Sequence, residues 1–312
     1  MSQASAPKVK NNFFLFIKIL TFSIFMYLFF KFVNQNDLIN SLTNISIKEI
    51  FFIYFLYLFL PIAIAFRWFI ILENFSKIKF IDLLRNIISG FSVSLIFSSA
   101  LVIDAVKFMK IKKEVGYENT FILTLIDKFF ALFFKIFFLL IFVIFYLHFY
   151  DEIAPNVILT LSILTFFYLL IFFRIDKIII YFFRKFLIKR RYKNIEKIFK
   201  KTKKKTIRLI FINLIIQLIN SSIYFLIFLF LDNNLEFIKI LIFVPIIELL
   251  GQFSFIIFGM KEFSTVFLLS SFNIEIELAL AGALIYLFLE YLVIITLYLV
   301  LNFNKINFLN KK

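Results

Sequence analysis

Apolar residues run through this chain in long stretches rather than in alternation. Residues 13–33, 50–72, 83–103, 121–149, 157–173, 209–231, 237–272 and 278–302 are each dominated by Phe, Ile and Leu, with charge confined to the breaks or to isolated interior positions. A helix crosses a ~30 Å hydrocarbon core in roughly 20 residues, so most of these stretches are long enough to span a bilayer. An outer-membrane barrel needs ~10-residue segments of alternating polarity, and that alternation is missing. The pattern predicts an all-α polytopic membrane protein, with one integral membrane domain over residues 1–312.

Charge orients the spans. The formal net charge is +16, and residues 174–208 carry fifteen Lys or Arg against only Asp176 and Glu196. By the positive-inside rule that basic segment is cytoplasmic. Its mixture of Ile178, Ile179 and Phe182 with Arg184, Lys185 and Arg190 reads as an interfacial basic helix that attracts anionic headgroups. Breaks at Asp37 and Glu49, Asp151 and Glu152, Asp232 and Glu236, and Glu275 and Glu277 are acidic or balanced and belong outside. Lys8, Lys10 and Lys18 at one end, and Lys305, Lys311 and Lys312 at the other, put both termini in the cytoplasm. The first ten residues lack an apolar core, so residues 13–33 read as a signal anchor of the plasma membrane.

Parity then decides between two readings of residues 83–103. They are apolar enough for a full span, yet Lys77, Lys79 and Arg85 precede them and Lys107, Lys110, Lys112 and Lys113 follow. A full crossing would put segment 174–208 outside, whereas a re-entrant hairpin keeps it inside. Small and hydroxyl residues from Ser89 to Ser94 and at Ser98, Ser99 and Ala100 suit a broken helix whose freed backbone groups need local partners. Residues 237–272 pose the same problem from the other face, leaving one acidic outer loop and arriving at another. The order becomes span, span, hairpin, span, repeated upside down: about six spans and two hairpins in an inverted repeat, 13–150 and 157–302. Many secondary transporters are built this way, with discontinuous helices meeting near the midplane.

Composition narrows the chemistry. Hydrophobic residues make up 63% of the chain and there is no cysteine, so thiolate metal sites, disulfides and cysteine nucleophiles are excluded. The one histidine, His148, lies among aromatics and reads as interfacial. No P-loop, HExxH or GxSxG is present, and neither a cofactor nor a nucleic-acid partner is expected. The informative residues are ionisable groups at depth, each costing roughly 2.5–3.5 kcal/mol to insert. Asp104 and Lys107 are one helical turn apart. Asp127 and Lys128 are adjacent, so they point in different directions and reach different helices, with Lys135 two turns on. Glu248, Lys261 and Glu262 fall in the second hairpin. For Glu290, midway along the last span, helix pairing and proton coupling both stand.

Four motifs in order, Arg67-Trp68-Phe69-Ile70-Ile71-Leu72, Asp104-Ala105-Val106-Lys107, Leu125-Ile126-Asp127-Lys128 and Gly259-Met260-Lys261-Glu262, resemble the flippase-like family typified by the membrane region of lysylphosphatidylglycerol synthase. The resemblance covers nearly the whole chain. Asp104, Lys107, Asp127, Lys128, Ser254, Gly259, Lys261 and Glu262 match its motif positions, with Lys three times where Arg is common. Proline and paired glycines of the family hairpins are replaced here by Leu101, Val102 and Ile103, and by Gln252, Ile256 and Ile257. The resemblance implies movement between leaflets of a polar-headed lipid, either an aminoacylated phospholipid or a polyprenyl-linked glycolipid. The lysines would attract its phosphate, and Asp104, Asp127 and Glu262 would balance them or contact a cationic headgroup. No soluble aminoacyl-transferase domain follows, so no lysyl transfer is expected. Two other roles remain open: a membrane-embedded transferase with Asp104 as base, and a non-catalytic partner of a glycosyltransferase or lipid synthase.

Overall fold

A computed structural model describes residues 33–97, 100–150, 204–231, 235–251, 260–270 and 274–309, together with residues 23, 27, 31, 163, 165, 174, 197, 198, 200–202 and 272. Almost all of the spans expected at 13–33 and 157–173, most of the basic segment 174–208, and residues 252–259 with Ser254 and Gly259 lie outside the described residues.

Among the described residues the regular elements are all α-helices. They are α1 (Gln35–Asn44), α2 (Ile47–Leu72), α3 (Phe80–Phe97), α4 (Ala100–Val115), α5 (Tyr117–Tyr150), α6 (Thr206–Phe230), α7 (Phe237–Gly251), α8 (Met260–Ser270) and α9 (Ile276–Leu309). Local chemistry fixes several of their ends. Ser46 caps α2 by accepting from Glu49 N, while the Glu49 carboxylate accepts from Ser46 N at 2.7 Å, so the helix begins before its apolar run. Asn34 caps α1 through its side chain, and its backbone N–H donates to Glu277 at 3.0 Å, tying α1 to the start of α9. Gly116, with φ of 86°, makes the one-residue corner between α4 and α5, a left-handed conformation that a Cβ would strain.

Among the described residues four helices are long and apolar enough to cross a membrane: α2, residues Tyr117–Leu147 of α5, α6, and residues Ile276–Asn302 of α9. The protein is therefore an all-α, multi-pass membrane protein. Two further apolar segments, 83–103 and 237–272, are divided between shorter helices where they are described. Residues 83–103 divide between α3 and α4, which form a hairpin packed so closely that a Cβ on Gly90 would sit 3.2 Å from the Ile103 carbonyl oxygen. The expectation that Ser89 to Ser94 mark a break is corrected here. The helix continues through them, with Ser89, Ser92 and Ser94 each bonding back to a carbonyl one turn earlier. α7 and α8 form a second hairpin, in which a Cβ on Gly251 would sit 3.5 Å from the Lys261 side chain. At 15 and 11 residues, α7 and α8 fall short of the roughly 20 that a crossing requires.

The packing pattern returns to itself when α2–α5 are exchanged with α6–α9. α2 packs on α3 as α6 packs on α7, and α4 on α5 as α8 on α9. Each hairpin also reaches across to the other half, α3 onto α9 and α7 onto α5. The two equivalent helices α2 and α6 pack against each other and run antiparallel: Glu73 meets Lys205, while Arg67, further back on α2, meets Asn213, further on along α6.

Candidate functional site

Five ionised side chains meet where α2, α4 and α5 converge. Arg67 on α2 grips Asp127 on α5 with Nε to Oδ1 at 2.9 Å and Nη2 to Oδ2 at 3.4 Å, and its Nη1 donates to Asn213 of α6 at 3.2 Å. Lys107 on α4 lies 3.3 Å from Asp127 and 2.9 Å from Asp104, one turn back on its own helix. Lys128 completes the chain, 2.7 Å from the other oxygen of Asp104. Asp127 is 1% exposed and Lys107 3%, so these charges have left water and depend on one another. Lys128 is different, with 40% of its side chain exposed.

The helices dictate this arrangement. Asp127 and Lys128 are adjacent, so their side chains diverge by about 100° around α5. One turns to Arg67 and Lys107, the other to Asp104. Arg67 and Trp68 turn inward rather than to the interface, where a basic and an aromatic residue near a span end ordinarily sit. Trp68 is 1% exposed and its ring lies beneath the Lys107 ammonium, 4.9 Å from the centroid. The buried Asp127 carboxylate on α5 and the Asn213 amide on α6 give Arg67 better partners than headgroup water.

A second cluster gathers around the α7–α8 hairpin. Lys261 on α8 pairs with Glu290 of α9 at 3.0 Å and stands 4.1 Å over the ring of Tyr286. Tyr224 stacks on that ring with centroids 4.3 Å apart, and Tyr57 flanks it at 5.3 Å. The Tyr286 hydroxyl donates to Asn220 at 2.8 Å, and Asn220 in turn donates to Glu248. Lys135 on α5 pairs with the second oxygen of Glu248 at 2.8 Å. Glu262, next to Lys261, makes none of these ion pairs.

One helix joins the clusters. Asn213, Gln217, Asn220, Ser221 and Tyr224 are all buried and form a single stripe along α6, touching Arg67 at one end and Glu248 and Tyr286 at the other. Asn213 and Asn220 are about 10 Å apart along the helix axis. Their spacing of three and four residues in an otherwise apolar run was the available signal, and the charged positions drew attention from it. Among the described residues no three His, Asp or Glu converge as a metal site.

The sequence model of the lysylphosphatidylglycerol synthase TM region matches residues 15–297. The chain belongs to that family. No curated protein and no solved structure matches it. Of the residues that resemble the family's motifs, Asp104, Lys107, Asp127 and Lys128 meet in the first cluster, while Lys261 enters the second with Glu262 beside it on α8. Ser254 and Gly259 lie outside the described residues.

Proposed function

We propose that this protein moves a phosphate-bearing, polar-headed lipid between the leaflets of the plasma membrane, with both termini cytoplasmic. The substrate class is an aminoacylated phospholipid or a polyprenyl-linked glycolipid. One observation carries the reading: the cluster on α2, α4 and α5 holds three cations, Arg67, Lys107 and Lys128, against two carboxylates, Asp104 and Asp127. An unbalanced positive charge in a low-dielectric interior favours an incoming anion, and the surplus lies at the accessible Lys128 end.

The fold supports the same reading. Equivalent helices that run antiparallel suit two halves inserted in opposite senses, with the hairpins entering from opposite faces as re-entrant elements. Clusters about 10 Å apart along α6 offer a headgroup two polar stations and a buried amide track between them.

Asp104 is a poor candidate for a transferase base, because each of its oxygens already accepts from a lysine ammonium. The protein is thus read as a transporter rather than an enzyme. Reconstitution into vesicles with fluorescently labelled phosphatidylglycerol tests this. Transport exposes inner-leaflet label to an impermeant quencher while the recovered lipid stays chemically unchanged. A transferase alters the lipid. A non-catalytic partner of a glycosyltransferase or lipid synthase does neither, and retains its function when Lys261 and Glu262 are neutralised.

A further inference from the structure

One polar group beside the first cluster has no partner. The indole Nε1 of Trp68 is buried and meets no hydrogen-bond acceptor among the described residues. Tryptophan is normally buried where its N–H finds an acceptor, because an unmade donor in a dry interior is costly. Packing alone does not call for it. The chain uses Phe 52 times and Trp once, and Phe would fill much of this space without stranding a donor.

The neighbouring carboxylates are already engaged. Asp104 accepts from Lys107 and Lys128, and Asp127 from Arg67 and Lys107. The Lys107 ammonium stands over the indole ring, 4.9 Å from its centroid, so an anion drawn to that ammonium comes close enough for one of its oxygens to turn toward the indole N–H. We infer that Trp68 Nε1–H is the uncharged donor to a phosphodiester monoanion bound at the Arg67–Lys107–Lys128 cluster. One surplus positive charge and one neutral donor match a monoanion. A phosphomonoester dianion would leave a negative charge buried. The inference rests on the lipid-phosphate reading of this cluster and narrows it to a diester.

The lone tryptophan gives the test a single reporter. Isotope labelling of tryptophan nitrogen yields one indole N–H resonance, followed in the full-length protein in micelles as four ligands are titrated: dihexanoyl phosphatidylglycerol, glycerophosphoglycerol, dihexanoyl phosphatidic acid and dihexanoylglycerol. Calorimetry on the same samples reports binding independently. The resonance is expected to move downfield and saturate with phosphatidylglycerol and to ignore dihexanoylglycerol, and Trp68→Phe is expected to bind phosphatidylglycerol about tenfold more weakly. If glycerophosphoglycerol moves the resonance too, the diester itself is recognised. If only phosphatidylglycerol does, the diester is recognised as part of a lipid. Either outcome supports the proposal. Calorimetric binding of phosphatidylglycerol with a stationary indole resonance would overturn it and leave the phosphate site intact, as would tenfold tighter binding of phosphatidic acid. No binding of any phosphate ligand would remove the lipid-phosphate reading as well.

Discussion

Arg67 holds Asp127 by both carboxylate oxygens although sixty residues separate them, at 2.9 Å and 3.4 Å. The contact ties α2 to α5 inside the bundle, and Lys107 adds a third bond from α4. Removing the carboxylate leaves two buried cations facing each other. Asp127→Ala is therefore expected to cost about 3–5 kcal/mol of stability, whereas Arg67→Met with Asp127→Leu costs less than Asp127→Ala alone. Unfolding in detergent micelles measures both, and a double variant less stable than the single one would contradict this view of the pair.

Gly282 on α9 lies under the ring of Phe228, closer than any Cβ tolerates, and Phe228 is fully buried with nowhere to retreat. Gly282→Ala should cost about 1–3 kcal/mol through overpacking. At Gly90 the nearest atom stands 3.2 Å from the built Cβ, so a shift of a few tenths of an ångström between α3 and α4 relieves it. Thermal unfolding should rank Gly282→Ala below Gly90→Ala.

Lys205, itself buried, donates to the Ile70 carbonyl at 2.7 Å and pairs with Glu73 at 2.9 Å, clipping the start of α6 to the end of α2. Its hydrogen bond and then its charge, helped by Arg208, hold the Glu73 carboxyl below its ordinary value. A depressed carboxyl contributes stability above its unfolded pKa of about 4.3, and that stability disappears as pH falls through the folded value. Glu73 is 43% exposed, so the contribution is below about 1 kcal/mol. The gap in stability between the parent protein and Glu73→Gln should persist near neutral pH and close as pH falls below the unfolded carboxyl pKa of about 4.3 and through the lower folded value.

The absence of cysteine makes topology accessible. Single cysteines at Asn119 and Asn194 should react with an impermeant maleimide from the cytoplasm, and those at Asn156 and Asn273 from outside. Labelling of Asn119 from outside would turn residues 83–103 into a crossing segment and remove the opposed hairpins.

Much of the fold was legible because each long apolar stretch can satisfy its backbone in lipid only as a helix. α5, α6 and the membrane-crossing part of α9, Ile276–Asn302, fall within a few residues of the expected spans. The start of α2 was set instead by the Ser46–Glu49 capping box, a local hydrogen-bond feature that hydropathy ignores. Asp127 and Lys128 could be read as reaching different helices because helical geometry separates neighbours. Their partners could not be read. Arg67 lies sixty residues from Asp127 and Asn213 lies 146 from Arg67, separations over which one sequence carries no pairing signal. Arg67 stands near a span end, where the positive-inside rule treats a cation as facing headgroups, so its inward turn could not be read either. The amides of α6 were visible as residues, but their value depends on what α2, α7 and α9 bring to them.

Lipid movement through the first cluster is tested most directly by Lys128, the one cation there with a substantially exposed side chain. In vesicles carrying labelled phosphatidylglycerol, Lys128→Ala should slow exposure of inner-leaflet label about tenfold without lowering the melting temperature by more than a few degrees, and Lys128→Arg should keep most of the rate. Parent-protein vesicles no faster than protein-free ones, or Lys128→Ala moving lipid as fast as the parent, would contradict the account.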